Sequence, residues 1–337
     1  MRHPTEGYLK CYYGYKNFGD EILAFGVINR IFQSYPTIKK LYIEVGNKER
    51  FDSRLTKNTS YLEVDLCKLE TIQKDNYRKV LTKWLCNPKA LKFLGWGEVF
   101  TQARGRWHGW WNYLLLFRPD FLRKNVVLLG WLGTPRKRRM KLLYTLTVKN
   151  CQKVVVREEE SAQIVRNYLW SDSPVVFCRP DFALDTVQKW QHRPHLNKIS
   201  EISQKTILVN LTPYRQIETD LDRLKLSVDV STHCLHVYFP CGQEDVDIVW
   251  QLKVIMTNIV VYKRWFYDVD TILTFMSTVS SAVWSRLHFI YILKLLGVEV
   301  VSLSYQEKVE KFLRTRGRGQ ETEEDEIVQP GILPGKS

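Results

Sequence analysis

The sequence predicts an α/β protein built on parallel sheets and divided into two domains. Three observations carry this reading. Short apolar runs rich in Val, Ile, Leu and Tyr alternate with segments whose apolar residues recur at helical spacing, as in strand–helix–strand units. The chain has 337 residues, about twice the ~150 residues of a common domain. The alternation lapses once, around residues 187–203, into a polar stretch holding His192, Arg193, Pro194 and His195, and then resumes.

Taken in order, residues 8–11 form a short strand. Residues 21–32 then form a helix, because Ile22, Phe25, Ile28 and Phe32 fall on one face and Asp20 stands where an N-cap belongs. Strands are expected at 38–45, 126–130, 154–156 and 175–178, with helices at 136–150 and 161–169. A second series follows the polar stretch: strands at 206–211, 235–239, 259–262, 278–284 and 298–303, and helices at 246–257, 270–276 and 287–296. The first domain is placed at 1–186, the linker at 187–204, the second domain at 205–313, and a mobile tail rich in Arg, Gly, Glu and Pro at 314–337.

Composition narrows the classes. Hydrophobic residues make up 45% and charged residues 26%, as in soluble globular proteins. The 7 cysteines are scattered with no C-x-x-C pair, which argues against a disulfide framework and a zinc site and for a reducing compartment. Residues 1–10 are polar and carry no signal-peptide pattern, and the apolar runs fall well short of the ~18 residues of a membrane span. A cytoplasmic location is expected. The net charge of +14 favours anionic partners. Much of it lies between Arg104 and Lys141, where Arg and Lys interleave with Trp, Tyr and Leu. That mixture suits peripheral contact with an anionic membrane surface, the alternative being a solvated basic face over a tryptophan-filled core. Nucleic acid is not expected, because no recognition motif accompanies the charge.

Two constellations carry chemistry. In residues 12–21 a strand, a loop punctuated by Gly14 and Gly19, and a helix start aim backbone N–H groups at one spot, a geometry that holds anions. An ordinary βα turn is the alternative. In Trp284-Ser285-Arg286-Leu287-His288, a strand delivers a guanidinium and an imidazole to its carboxyl end, where ligands collect in open α/β sheets. Arg286 offers a planar fork of donors for carboxylate or phosphate. An imidazole, with a reference pKa of about 6.5, is suited to moving protons near neutrality. Packing and surface pairing are the alternatives for these two residues.

The sequence resembles the polysaccharide pyruvyl transferase family. Residues 12–21 are similar to its opening Y-Y-G-(aromatic)-x-N-x-G-D-E signature, and Gly95-Trp96-Gly97-Glu98 stands where the family has a glycine-rich turn, with Trp96 replacing a glycine. Val154-Val155-Val156-Arg157-Glu158 resembles its V-x-R-(D/E) segment, and Pro180-Asp181-Phe182-Ala183-Leu184 its D-P-A-F-x-L stretch with the proline displaced. Ser285-Arg286-Leu287-His288, Gly297-Val298-Glu299-Val300 and Tyr305-Gln306-Glu307-Lys308 resemble R-L-H…G-V-P-V…Y-x-x-K, with Glu299 replacing proline.

The resemblance implies a GT-B-like pair of Rossmann-like domains with an inter-domain cleft. It also implies transfer of pyruvyl from phosphoenolpyruvate to a sugar, a polysaccharide or a lipid-linked oligosaccharide, as a ketal. Phosphoenolpyruvate is then the co-substrate, with no further cofactor and no metal ion. The composition adds the expectation of a cytoplasmic setting, and the Arg104–Lys141 region that of peripheral contact at the inner face of the membrane. Arg286 and His288 take the catalytic roles. Arg286, the Leu287 N–H, Lys308 and Arg157 bind the donor, with pairing to Glu158, Glu159 or Glu160 as the alternative for Arg157. Asn17, Gly19, Asp20 and Glu21 line the facing loop, Asp20 capping the helix and Glu21 positioning an acceptor hydroxyl. Two other classes stay open: a GT-B glycosyltransferase using a nucleotide-sugar, and an inactive binding protein of an envelope assembly.

Overall fold

The computed structural model describes residues 4–14, 18–73, 87, 89–98, 125–131, 145, 148–157, 159–168, 175–179, 182–193, 206–211, 235–238, 248–255, 258–262, 268–284 and 287–303. Asn17, Arg286, Lys308, most of the basic region between Arg104 and Lys141, and the tail lie outside them.

Seven parallel strands form the first sheet: β1 (Glu6–Tyr13), β2 (Lys40–Val45), β3 (Leu69–Gln73), β4 (Leu91–Glu98), β5 (Val126–Trp131), β6 (Lys153–Val156) and β7 (Val175–Cys178). Their order is β3-β2-β1-β4-β5-β6-β7. The second sheet holds β8 (Thr206–Asn210), β9 (Leu235–Tyr238), β10 (Ile259–Val261), β11 (Ser281–Trp284) and β12 (Glu299–Ser302), in the order β10-β9-β8-β11-β12 and again all parallel. Both sheets thus begin at an inner strand, build outward on one side, and then cross over to build on the other. That reversal opens a crevice at the carboxyl ends of the two central strands, β1 beside β4 and β8 beside β11. Strands buried on both faces explain the apolar runs, such as residues 207–209 of β8, a strand in which every residue is buried.

The helices are α1 (Phe18–Ser34), α2 (Lys48–Lys57), α3 (Glu159–Tyr168), α4 (Ala183–Gln191), α5 (Val249–Ile255), α6 (Val269–Thr278) and α7 (Leu287–Leu295). Helix α1 is buried almost all round, because the first sheet lies on one side and α4 and α7 on the other. Gly26 makes this possible, since a Cβ there would stand 2.2 Å from the Phe182 carbonyl oxygen at the start of α4. One residue turn away, Thr186 Oγ1 donates to the Ile22 carbonyl at 3.1 Å.

Helix α4 corrects the start of the expected linker, of which residues 194–204 lie outside the described residues. Residues 187–191 continue a helix that buries Val187 and Trp190 and packs on α1, α6 and α7. Its polar residues Gln188 and Gln191, and His192 at its end, are exposed. The same hydrophobic core therefore runs from Leu9 and Ile22 through Val187 to Leu273 and Phe289. A polar clasp supports it. The Asn58 side chain accepts from the Val269 N–H at 3.0 Å at the start of α6, the Tyr61 hydroxyl donates to Asp270, and Arg193 donates to Asp270 at 2.6 Å while lying over the Tyr61 ring.

Two further expectations are corrected. Residues 95–97 are not a turn but part of β4, with a register shift against β5 between Gly95 and Glu98. Gly95 adopts φ +130°, and a Cβ there would stand 1.7 Å from the Leu129 carbonyl oxygen, so glycine marks a bulged strand at this point. Thr278 ends α6 and does not open β11, because the apolar period of the helix persists through Met276. Among the described residues no helix is long and apolar enough to cross a membrane.

Candidate functional site

Three chain segments bring polar side chains to one point. Helix α1 follows the carboxyl end of β1, α7 follows that of β11, and Arg157 is the first residue beyond β6. Local sequence explains each. Gly14, at φ +74°, lets β1 turn sharply, its position packed against the backbone of Gly46 and Asn47. The apolar run of β11 stops at Trp284, and α7 begins at Leu287, so His288 occupies the helix's first turn.

His288 Nδ1 stands 3.4 Å from Asp20 Oδ1, and its Nε2 stands 3.2 Å from Arg157 Nη1. The His288 and Asp20 side chains are 14% and 13% exposed, so the cluster sits in a crevice that still meets solvent. The tautomer follows from the partners. A guanidinium has only donors, so Nε2 accepts from Arg157; the ring proton is then on Nδ1, facing the Asp20 carboxylate. The carboxylate thus orients the ring, while the other ring nitrogen carries the lone pair needed for proton transfer.

Of the residues expected from sequence, Asp20, Arg157 and His288 are brought together, although they come from both sheets and from segments 131 residues apart in the case of Arg157 and His288. Leu287 opens α7 beside them. Asp20 is not the N-cap: α1 starts at Phe18, which puts Asp20 inside the first turn, where an acid still complements the helix dipole while its carboxylate faces His288. Gly19 lies in the same turn.

Glu21 does not position an acceptor. It is 3% exposed and paired with Arg54 of α2, because one residue is about 100° of helix rotation and turns Glu21 inward. Nor does Glu159 hold Arg157; it pairs with Arg166 at 2.5 Å. Sequence reasoning passed over Arg54. It also passed over Asn210, a fully buried polar residue at the carboxyl end of β8, in register with Trp284. A polar residue closing an otherwise apolar strand was the available signal for Asn210.

No protein-family model matches the sequence, and no curated protein matches it. Solved structures do share its architecture. S. aureus MnaA, in a structure with UDP, superposes with a TM-score of 0.61 at 12% identity over 91% of this chain and 82% of that one. UDP-GlcNAc 2-epimerase from Neisseria meningitidis, bound to UDP-GlcNAc, gives 0.58 at 14% identity over 92% and 85%. UDP-GlcNAc 2-epimerase from Methanocaldococcus jannaschii gives 0.55 at 9% identity over 92% and 86%. The fold is the GT-B-like pairing of two Rossmann-like α/β units.

Proposed function

We propose that this chain is an enzyme of sugar metabolism that acts on a nucleotide-activated sugar, with His288 as its acid–base group, Asp20 orienting it and Arg157 binding the donor's phosphate. The observation that carries this reading is the meeting of a carboxylate, an imidazole and a guanidinium where the carboxyl ends of the two sheets face one another. The shared architecture with proteins solved with UDP or UDP-GlcNAc supports the choice of donor.

In the state described, Arg157 occupies His288 Nε2. An incoming diphosphate competes well for the guanidinium, because it offers two anionic oxygens in bidentate geometry where the ring offers a single neutral nitrogen. As Arg157 turns to the phosphate, Nε2 opens to an acceptor hydroxyl. His288 then takes the hydroxyl proton while the oxygen attacks the anomeric carbon. The bond from that carbon to the phosphate oxygen breaks, and the nucleoside diphosphate leaves with its charge held by Arg157. Asp20 stabilises the imidazolium that forms. Positioned acid–base catalysis of this kind contributes ~10²–10⁴ in rate.

A second reading, pyruvyl transfer from phosphoenolpyruvate, has its own observation in favour. Asp20, Arg157 and His288 belong to three separate motifs of the pyruvyl transferase resemblance, yet their side chains are neighbours. There the enol methylene takes a proton, a sugar hydroxyl gives up its proton as it adds to the central carbon, and phosphate leaves as a second hydroxyl, losing its own proton, closes the ketal, so the same three residues serve. Thermal unfolding against UDP-sugars, other nucleotide-sugars, phosphoenolpyruvate and phosphate separates the two. A ligand at 100 times its dissociation constant stabilises by about 2.7 kcal/mol. A shift with a nucleotide-sugar that is lost in Arg157→Gln is the expected result. A shift with phosphoenolpyruvate alone would replace the first reading by the second, and no shift with either would overturn both.

A further inference from the structure

A second polar cluster lies about 15 Å along α1 from Asp20, ten residues at 1.5 Å each. Here Arg30 of α1, Lys153 of β6 and Arg179 beyond β7 border a cavity between α1 and the first sheet. Its wall is apolar, with Tyr35 and Phe93 in edge contact at 5.4 Å and with Val127 and Leu129 of β5 beneath. Asp185 of α4 faces Arg30 at 3.7 Å. Asp185 is the carboxylate in contact with these cations, and nearby Glu63 is paired with Lys189. Burial, and then repulsion from Arg179 and Arg30, holds the Lys153 ammonium below the usual lysine range. Burial also raises the Asp185 carboxyl, with Arg30 opposing. The Arg30 Nε is buried without a hydrogen-bond partner, and Lys153 Nζ rests 4.0 Å from the Phe177 ring centroid, its contact an aromatic face and not an anion.

Folding three cations around an apolar cavity costs free energy, through desolvation and repulsion, that an anion returns. We propose that this cavity is a binding site, separate from the Asp20–His288–Arg157 cluster, for a phosphate monoester carried on an apolar group. Two guanidinium forks and an ammonium suit the dianionic phosphate, and the aromatic and aliphatic wall suits the substituent. The inference rests on these residues alone and stands whichever donor the first site takes. The apolar phosphate is either a lipid headgroup or a small amphiphilic phosphate; inorganic phosphate has the head without the body.

The test is calorimetric titration of the full chain with inorganic phosphate and with octyl phosphate below its micellar concentration. Octyl phosphate is expected to bind about tenfold more tightly, the effect of roughly two buried methylene groups. Arg179→Gln and Lys153→Met are each expected to weaken it by about tenfold or more, the effect of losing one charge-assisted hydrogen bond. Arg157→Gln, which disables the first site, is expected to leave it unchanged. Lys153→Met relieves repulsion, so its melting temperature should not fall, and it keeps the test informative if Arg179→Gln does not fold. Unaltered binding in Lys153→Met and Arg179→Gln, loss of binding in Arg157→Gln, or equal affinity for the two phosphates would each overturn the proposal. Binding of octyl phosphate by the monomeric ligand but not when it is diluted into neutral vesicles would assign the site to a soluble phosphate; binding in both settings would assign it to a lipid headgroup.

Discussion

Replacing Asp20 by Asn removes one charge and keeps the shape, so its effect can be worked from a single distance. Unit charges 3.4 Å apart interact by about 5 kcal/mol at an effective dielectric of 20 and about 1 kcal/mol at that of water. Both side chains are largely shielded yet still meet solvent, which places the interaction between these limits. The interaction arises only when His288 becomes imidazolium, during proton transfer, so its loss raises the barrier without greatly changing donor binding. At 1.36 kcal/mol per factor of ten, turnover should fall by about 10- to 10³-fold with the Michaelis constant for the donor little altered. The assay is release of the nucleoside diphosphate from whichever donor raises the melting temperature. Because Asp20 acts through His288, Asp20→Asn combined with His288→Gln should be no slower than His288→Gln alone. A structural readout runs in parallel: nitrogen-15 spectra of wild type should show His288 protonated on Nδ1, and Asp20→Asn should shift the proton toward Nε2. Additive losses in the double variant, or an Nε2-protonated ring in wild type, would refute the orienting role.

Three further outcomes concern stability. Gly95→Ala should lower stability by about 2–5 kcal/mol, combining a disfavoured positive φ with a Cβ driven into the Leu129 carbonyl, and a thermal melt within a degree or two of wild type would exclude the bulged geometry of β4. Arg54→Ala leaves the buried Glu21 carboxylate without its ion pair and should cost about 3–5 kcal/mol by urea unfolding, whereas Glu21→Gln with Arg54→Met should cost less. At high pH, burial holds the Tyr8 and Tyr61 hydroxyls above the ordinary tyrosine value of 10.0 and pushes Tyr35 up to about 12. Raised folded-state values mean that this stability is fully present below pH 10 and is lost as pH climbs from 10 toward 12, while the unfolded chain ionises first; Tyr35→Phe should flatten that decline, and an unchanged slope would contradict it.

The sequence by itself determined the alternation of strands and helices, and with it the parallel sheets, because the periods of 2 and 3.6 and the glycines at turns are written locally along the chain. It also singled out His288, a polar residue visible at a strand end without a fold, and Asp20 at the start of a helix, while Arg157 came only with the family resemblance. Local pattern failed where a partner from afar took over. Gly95 and Gly97 read as a turn, yet the pairing of β4 with β5 carries them into a bulged strand. Glu21 and Asp20 are chain neighbours with the same charge, but α2 supplies Arg54 to one and α7 supplies His288 to the other. The polar face of α4 resembled a linker because the apolar face that seats it on α1 and α7 becomes legible only once those helices are in place. Only the tertiary structure decided the strand order, the joining of Arg157 to His288 across 131 residues, and the meeting of Arg30, Lys153 and Arg179 around one cavity. Such meetings depend on how two sheets and their helices dock, a free energy summed over the whole core and expressed in no single stretch of chain.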